Sequence, residues 1–378
     1  MISEPSATAT NRLATLPPGS TIGILGGGQL GRMLAMAAAK LGLKAHIYTD
    51  KPDSPAAEVS SRFTLGAFDD HDALGRFAEE VDVVTYEFEN VPVAAAHRIE
   101  GVVPVRPGPR ALAVAQDRLA EKQFLRDAQI PVAPFASVTD RASLDAAIRT
   151  IGTPAILKTR FLGYDGKGQA RIHAPSDAAA AWESIGQQPA VLEGYVPFAF
   201  EISILAVRGR KPGTDGETTL GETYYDCPLN SHEHGILRRS AVPAPITLDD
   251  TLAARSIARR ILTQLDYVGV LAVEFFHMGA QHKGDSKLVV NEIAPRVHNS
   301  GHWTMDACAI DQFENHIRAV AGWPSGSTAR HSDVEMLNLI GSEIDDWCSR
   351  ISTAPATSLH IYGKSEALEG RKMGHINI

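Results

Sequence analysis

The tightest constraint on the fold lies near the N-terminus. There an apolar run, Thr21 to Leu25, meets the glycine turn Gly26-Gly27-Gly28, and Leu30, Met33, Leu34, Ala37, Ala38 and Leu41 then recur at helical spacing. Gly42 ends that helix and Ala45 to Thr49 reads as a second strand. A helix starting near Asp70 to Asp72 and a strand over Val81 to Tyr86 continue the alternation. Strands joined by helices imply a parallel sheet with helices on both faces. The stretch Pro104 to Pro109, with three prolines and a glycine, reads as a boundary.

Beyond a helix at about 115–128 the pattern changes. Short apolar strands follow at Ala155 to Lys158, Ala190 to Glu193, Glu201 to Val207 and Thr218 to Tyr225, with an exposed hairpin tip at Gly209 to Gly216. Leu248 to Leu265 is a long amphipathic helix, followed by strands Val268 to Phe276 and Leu288 to Ile293 and a helix from Met305 to Val320. Strands are expected near Val334 to Ile340, Ser358 to Tyr362 and His375 to Ile378. The expectation is an α/β head, an α+β middle and a small strand-rich tail domain.

Lys plus Arg is 36 and Asp plus Glu is 44 in 378 residues, a net charge of −8. That balance argues against coating a nucleic acid or an anionic membrane, so an anionic ligand must be held by local basic clusters. Cys227, Cys308 and Cys348 form no C-x-x-C, which argues against a disulfide framework or a cysteine zinc site and for a reducing, cytoplasmic compartment. No apolar run approaches the ~20 residues that span a bilayer. The first twenty residues lack an apolar h-region and read as a disordered tail.

Five motifs carry chemistry. Gly26-Gly27-Gly28-Gln29-Leu30-Gly31 satisfies G-x-G-x-x-G, with Asp50 at the end of the next strand; a dinucleotide, another phosphate ligand and a mere packing turn all remain open. Gly163-Tyr164-Asp165-Gly166-Lys167-Gly168-Gln169, just after Lys158, offers N–H donors and cations to phosphates but lacks Walker A spacing; a solvated hairpin is the bland alternative. Glu274 and Glu292 are charges inside apolar strands, an arrangement that is costly unless a cation such as Mg²⁺ joins them, the alternative being salt-bridged or edge acids. Strict alternation sets Asn291 on the opposite side from Glu292. Arg296 and His298 alternate in Arg296-Val297-His298-Asn299-Ser300 and can reach one small oxyanion. His232 and His234 suggest a metal less than hydrogen-bonding loop histidines. Finally, Lys364, Arg371 and Lys372 form a basic tail, a phosphate clamp or a solvated turn.

The segments GILGGGQLGRML, QDRLAEKQFL, AILKTRFLGYDGKGQ, EGYVPFAFEIS, VLAVEFF, VVNEIAPRVHNSGHWTMDAC and YGK with GRKMGH, spread over residues 22–375, resemble the ATP-grasp superfamily. More narrowly they resemble the 5-(carboxyamino)imidazole ribonucleotide synthetase family, ATP-dependent carbon–nitrogen ligases of purine biosynthesis. The resemblance implies a Rossmann-like N-terminal domain without dinucleotide (21–110), an ATP-grasp domain (111–325, lid about 133–208) and a small β-rich C-terminal domain (326–378). It implies ATP contacts at Arg118, Lys158, Gly163, Tyr164, Asp165, Gly166, Lys167, Gly168, Gln169, Glu193, Gly194, Tyr195, Val196, Glu201, His232, Asn291 and Glu292. Glu274 and Glu292 would bind Mg²⁺. Tyr164, Asp165, Lys167, Lys364 and Arg371 would surround aminoimidazole ribonucleotide. Arg296, His298 and Asn299 would border bicarbonate and, with Lys364, carry catalysis. The implied reaction phosphorylates bicarbonate to carboxyphosphate and passes its carboxyl group to the ribonucleotide amine, in a homodimer. Another ATP-grasp carboxylate–amine ligase and, on the glycine motif alone, a nicotinamide dehydrogenase are the alternatives. Relatives continue past GRKMGH into a further helical stretch, so the packing of a tail domain that stops at Ile378 is expected to differ.

Overall fold

The structure, a computed structural model, describes residues 14–163, 168–212, 218–282, 284 and 286–378. The expected α/β head is present as four parallel strands in the order Arg62–Leu65, Lys44–Thr49, Thr21–Leu25, Val83–Tyr86. The helix Gln29–Lys40 buries the stripe Leu30, Met33, Leu34, Ala37 and Ala38. Asp70 caps the helix His71–Glu79 by accepting from the N–H groups of Asp72 and Ala73. The outer strand Arg62–Leu65 was not legible in the sequence: it lies at the sheet edge with Phe63 and Leu65 half exposed, so it has no buried side to print a pattern.

Most remaining strands form one nine-stranded sheet. Its order is Leu288–Ala294, Gly269–His277, Phe200–Pro212, Leu229–Glu233, Ile236–Val242, Val334–Ile340, Lys372–Asn377, Ser358–Ile361, and Thr218–Tyr224 pairs with Phe200–Pro212. The long strand at the centre explains the two-sided burial. Leu205 and Val207 pack in one core with Leu30, Leu34, Trp303 and Phe313, while Ile202, Ile204 and Ala206 pack in another with Ile257, Ile261 and Leu262 of the helix Leu248–Gln264. Alternate residues face opposite sides, so one face of the sheet meets the head and the other meets that helix.

The strand-rich C-terminal part joins the central sheet, Arg239 to Val242 pairing with Leu337 to Val334. Two expectations need correction. The lid sheet ends earlier than residue 208. Its antiparallel strands are Phe135–Val138, Ala190–Gly194, Ala155–Thr159 and Gln169–Ile172, with a separate core containing Leu144, Leu157, Trp182 and Leu192. The Phe200–Pro212 strand belongs to the large sheet because its apolar residues are buried on both faces there. The helix expected over 305–320 is two, Thr304–Ala307 and Gln312–Val320, because Asp311 caps a new start by accepting from the N–H groups of Phe313 and Glu314.

Residues 14–20, read as tail, dock on the body: the Leu16 N–H donates to the Ala321 carbonyl (2.9 Å) and the Trp323 indole donates to the Leu16 carbonyl (2.7 Å). Residues 1–13 and much of the 209–216 tip lie outside the described residues. The last strand, Lys372–Asn377, is paired on both sides, and Ile378 exchanges two backbone bonds of 3.0 Å with Glu335. Among the described residues no helix is long and apolar enough to cross a membrane.

Candidate active site

Where the head, the lid and the head-facing side of the large sheet meet, a cavity of about 930 Å³ opens. Strand register builds its floor: Glu274 lies directly opposite Glu292 on one neighbour and Ser203 on the other, so the two acids share a face. Glu274 is buried, and burial first, then the Glu292 charge, push its carboxyl up to about 7. The pairing slips between Glu274 and Phe275, from Glu292 to Val290, which leaves Asn291 as the extra residue of a bulge. That bulge corrects the strict alternation expected for Asn291, which lines the cavity together with Glu292.

Lys158, next to last in the strand Ala155–Thr159, stands in the cavity wall, and its ammonium lies 3.0 Å from Glu193. A second lysine, Lys122, is fully buried 3.3 Å from the same carboxylate and donates to the Asn291 carbonyl (2.7 Å). Burial alone would raise Glu193, but the charges of Lys158 and Lys122 outweigh it and hold the carboxyl at about 2. Lys158 shares that one anion with Lys122, and burial prevails over attraction, so its pKa is depressed. Glu121, beside Lys122, accepts from the Ile293 N–H (2.6 Å) and is pushed up by burial to about 7.

Arg118 lies 3.5 Å from Glu292 and donates to the Gly163 carbonyl (2.9 Å), which ties the floor to the start of the glycine loop. Glu201 and His232 meet at 2.5 Å in the cavity wall; burial opposes the charged ring, but the bond to Glu201 and the charges of Glu274 and Glu201 raise its pKa. Tyr195 and Gln169 also line the cavity, whereas Gly168, Gly194 and Val196 do not, and Glu193 reaches it only through its ion pair with Lys158. Tyr164, Asp165, Gly166 and Lys167 lie outside the described residues.

Beside Glu274, Arg296, His298 and Asn299 line the cavity together. Arg296 is ion-paired with Glu89, whose charge outweighs the effect of burial and raises the guanidinium pKa. Burial, with the charge of Arg296, holds the His298 ring neutral, well below its usual range; its Nε2 is 3.5 Å from Glu274. Asn299 and Asn338 exchange amide bonds of 3.0 and 2.6 Å. Lys364 donates to the Lys372 carbonyl (2.6 Å) and Arg371 to the Glu366 carbonyl (3.0 Å); neither lines the cavity in this conformation, whereas Lys372 does.

The glycine turn is an anion site already filled by the chain itself. Glu87 accepts from the N–H groups of Gly28 (2.5 Å) and Gly31 (2.9 Å), at the start of the helix where a dinucleotide pyrophosphate would sit. A Cβ on Gly28 would lie 2.7 Å from that carboxylate, so the turn needs glycine to let the acid in. The dinucleotide reading therefore fails at this turn. Glu87→Ala leaves two N–H groups without their partner and is expected to cost about 1–3 kcal/mol of stability, readable as a lower Tm.

Among the described residues the cavity lining carries six cations, Arg118, Lys158, Arg160, Arg171, Arg296 and Lys372, against six acids, Glu87, Glu89, Glu121, Glu201, Glu274 and Glu292. Among these side chains the charges balance, and a polyanion needs some acids neutralised. Glu274 and Glu292 fit a divalent cation, since their mutual repulsion is what such an ion relieves. Mg²⁺ is an ion that takes its other ligands from phosphates and water, so two carboxylates are enough protein ligands for it.

Residues 20–116 match the ribonucleotide synthetase preATP-grasp domain, 123–313 the ATP-grasp domain, and 335–378 the phosphoribosylaminoimidazole carboxylase C-terminal domain. An N5-carboxyaminoimidazole ribonucleotide synthase of Brucella melitensis is 50% identical over 96% of this chain and 97% of its own. The chain belongs to the N5-carboxyaminoimidazole ribonucleotide synthase family. Among solved members of that family, an ADP complex of an N5-carboxyaminoimidazole ribonucleotide synthetase has a TM-score of 0.89 at 38% identity, over 98% of this chain and 94% of that one. The Aspergillus clavatus N5-carboxyaminoimidazole synthase, in complex with ADP and 5-aminoimidazole ribonucleotide, has a TM-score of 0.85 at 30% identity, over 96% and 94%. The chain thus has the ATP-grasp fold expected from its motifs.

Sequence reasoning missed Lys122, Glu121, Glu87 and Glu89. Each left a signal: Glu121 and Lys122 stand on the buried side of the helix Arg118–Asp127 beside Leu125, and Glu87 and Glu89 follow the end of the strand Val83–Tyr86, where α/β sheets hold ligands.

Proposed function

We propose that this chain catalyses the ATP- and bicarbonate-dependent carboxylation of 5-aminoimidazole ribonucleotide at its exocyclic amine, in purine biosynthesis. The observation that carries the reading is the register-paired Glu274 and Glu292 sharing one cavity with Lys158 and Arg296. Lys158, Arg118 and the glycine loop from Gly163 to Gln169 bind and orient the triphosphate, with Glu201 and His232 beside the nucleoside and 193–196 at the lid hinge. Glu274 and Glu292 hold Mg²⁺, which when bound neutralises charge on the transferring phosphoryl group. A bicarbonate oxygen attacks the γ-phosphorus and ADP leaves, giving carboxyphosphate. Arg296, held charged by Glu89, offers its donors to that oxyanion, beside His298 and Asn299. The ribonucleotide amine then attacks the carboxyl carbon, forming the N–C bond and releasing inorganic phosphate and a proton. In-line positioning and charge neutralisation do most of the work.

Tyr164, Asp165, Lys167, Lys364 and Arg371 are proposed to surround the ribonucleotide; the last two reach it by leaving the carbonyls they hold here. The proposed domains are those read from the resemblance, with the lid shortened to 135–194. A homodimer in the cytoplasm is the proposed working form, in keeping with three free cysteines.

The test is ADP release from MgATP. It should need bicarbonate and 5-aminoimidazole ribonucleotide together, and release without one of them, or with a formate or glycine acceptor instead, would overturn the assignment.

A further inference from the structure

The face that carries Glu274 also carries a line of small polar side chains that the proposed chemistry does not use. Ser240, Asn230 and Ser203 sit on three successive strands and Ser300 in the turn above them, none of the four more than 5% exposed. Their neighbours on that face, Leu205 and Val207, are apolar. A buried polar group is at best worth little more than an apolar one of the same shape, so packing alone does not ask for four in a row.

The four connect. Ser240 Oγ donates to Asn230 Oδ1 (2.8 Å), and Asn230 Nδ2 donates to Ser203 Oγ (3.0 Å). The Ser203 and Ser300 hydroxyls are 2.7 Å apart, and Ser300 Oγ is 2.9 Å from His298 Nδ1. Each hydroxyl has one proton. The Ser300 backbone N–H donates to Nδ1 (3.3 Å), so Nδ1 is an acceptor; Ser300 then gives its one hydroxyl proton to Nδ1 and receives from Ser203. The reverse order would put a proton on Nδ1, facing the Ser300 backbone N–H that points at the same atom from 3.3 Å. That backbone donor selects one direction for the whole chain.

We propose that Ser240, Asn230, Ser203 and Ser300 are positioning residues that lock the His298 ring with Nδ1 as acceptor and Nε2–H as donor, aimed at the Glu274 end of the cavity. Nε2 lies 3.5 Å from Glu274 Oε1. A donor fixed there meets an anion: the carboxylate in this structure, or a small oxyanion entering beside Arg296. The catalytic meaning rests on the carboxylation proposed above; the geometry of the ring does not.

The experiment therefore has two readouts. Protein labelled with ¹⁵N in histidine, with the His298 signals identified by their loss in His298→Asn, should have Nε2 protonated and Nδ1 unprotonated. Ser300→Ala and, less strongly, Ser203→Ala should shift both nitrogens toward exchange between tautomers. In ADP release with bicarbonate and ribonucleotide, Ser300→Ala should lower kcat about 10-fold, in the range of lost outer-shell partners, with little change in the KM for ATP. Nδ1 protonated in the unmutated protein, or wild-type ¹⁵N shifts in both serine variants, would overturn the proposal. If the unmutated protein releases no ADP, the assigned reaction fails and the ¹⁵N readout alone decides the positioning.

Discussion

Glu274→Gln should lower Mg²⁺- and ATP-dependent ADP release on the order of 10³-fold while raising the Tm of the ligand-free protein. The two effects have one cause. Glu274 is buried opposite Glu292, and its carboxyl is pushed up to about 7. An acid with a raised folded pKa opposes folding wherever it is ionised. The penalty is absent below the unfolded value near 4.5, grows between there and about 7, and is constant above. It amounts to about 3 kcal/mol at pH 8. Glutamine removes it while keeping the shape and an acceptor for His298, so the variant should melt several degrees higher at pH 8, with the gap closing toward pH 4.5. Since binding a cation displaces the proton, Mg²⁺ affinity of the unmutated protein should fall by up to about tenfold per pH unit below 7. Thermal melts across pH with and without Mg²⁺ read all of this. An active variant, or one less stable at pH 8, would contradict the paired-acid site.

How much of this site was legible depends on which force placed each residue. Glu274 and Glu292 stood out because a charge in an apolar strand has few explanations, and the register bears out their shared face. Asn291 was set on the wrong face because alternation holds only in an unbroken ladder, and a bulge is decided by partner strands far away in sequence. Lys122 hid because a lysine on a helix normally reads as solvated; only the fold brings Glu193, on a lid strand, within 3.3 Å of it. Glu87 hid for a related reason. The glycine turn announces an anion, but its occupant lies at the end of another strand, Val83–Tyr86, and nothing local says that the anion is internal. The C-terminal strands were legible as strands, yet pairing of Val334 with Val242 is a long-range contact that periodicity cannot encode. Local chemistry was thus readable, and its partners across the fold were not.

Glu193→Gln is expected to lower the Tm by roughly 5–15 °C, the equivalent of about 3–5 kcal/mol for removing one partner of a buried ion pair. One carboxylate serves two ammonium groups, Lys158 at 3.0 Å and Lys122 at 3.3 Å, and all three are buried. Burial depresses Lys158 even with Glu193 in place, so without the acid the two buried cations lose the carboxylate they share. The acid limb gives the sign. Glu193 is held at about 2, below its ordinary value, so its contribution is present above about 4.5 and is lost as pH falls through 2. The variant should therefore approach the stability of the unmutated protein in acid rather than fall further behind. Lys158 also faces the cavity, so a bound polyphosphate restores some of the missing negative charge. MgADP should then raise the Tm of Glu193→Gln by more than it raises that of the unmutated protein. A variant as stable as its parent at pH 7 would mean the two lysines are compensated elsewhere. An equal nucleotide shift in both proteins would mean that Lys158 does not reach the phosphates.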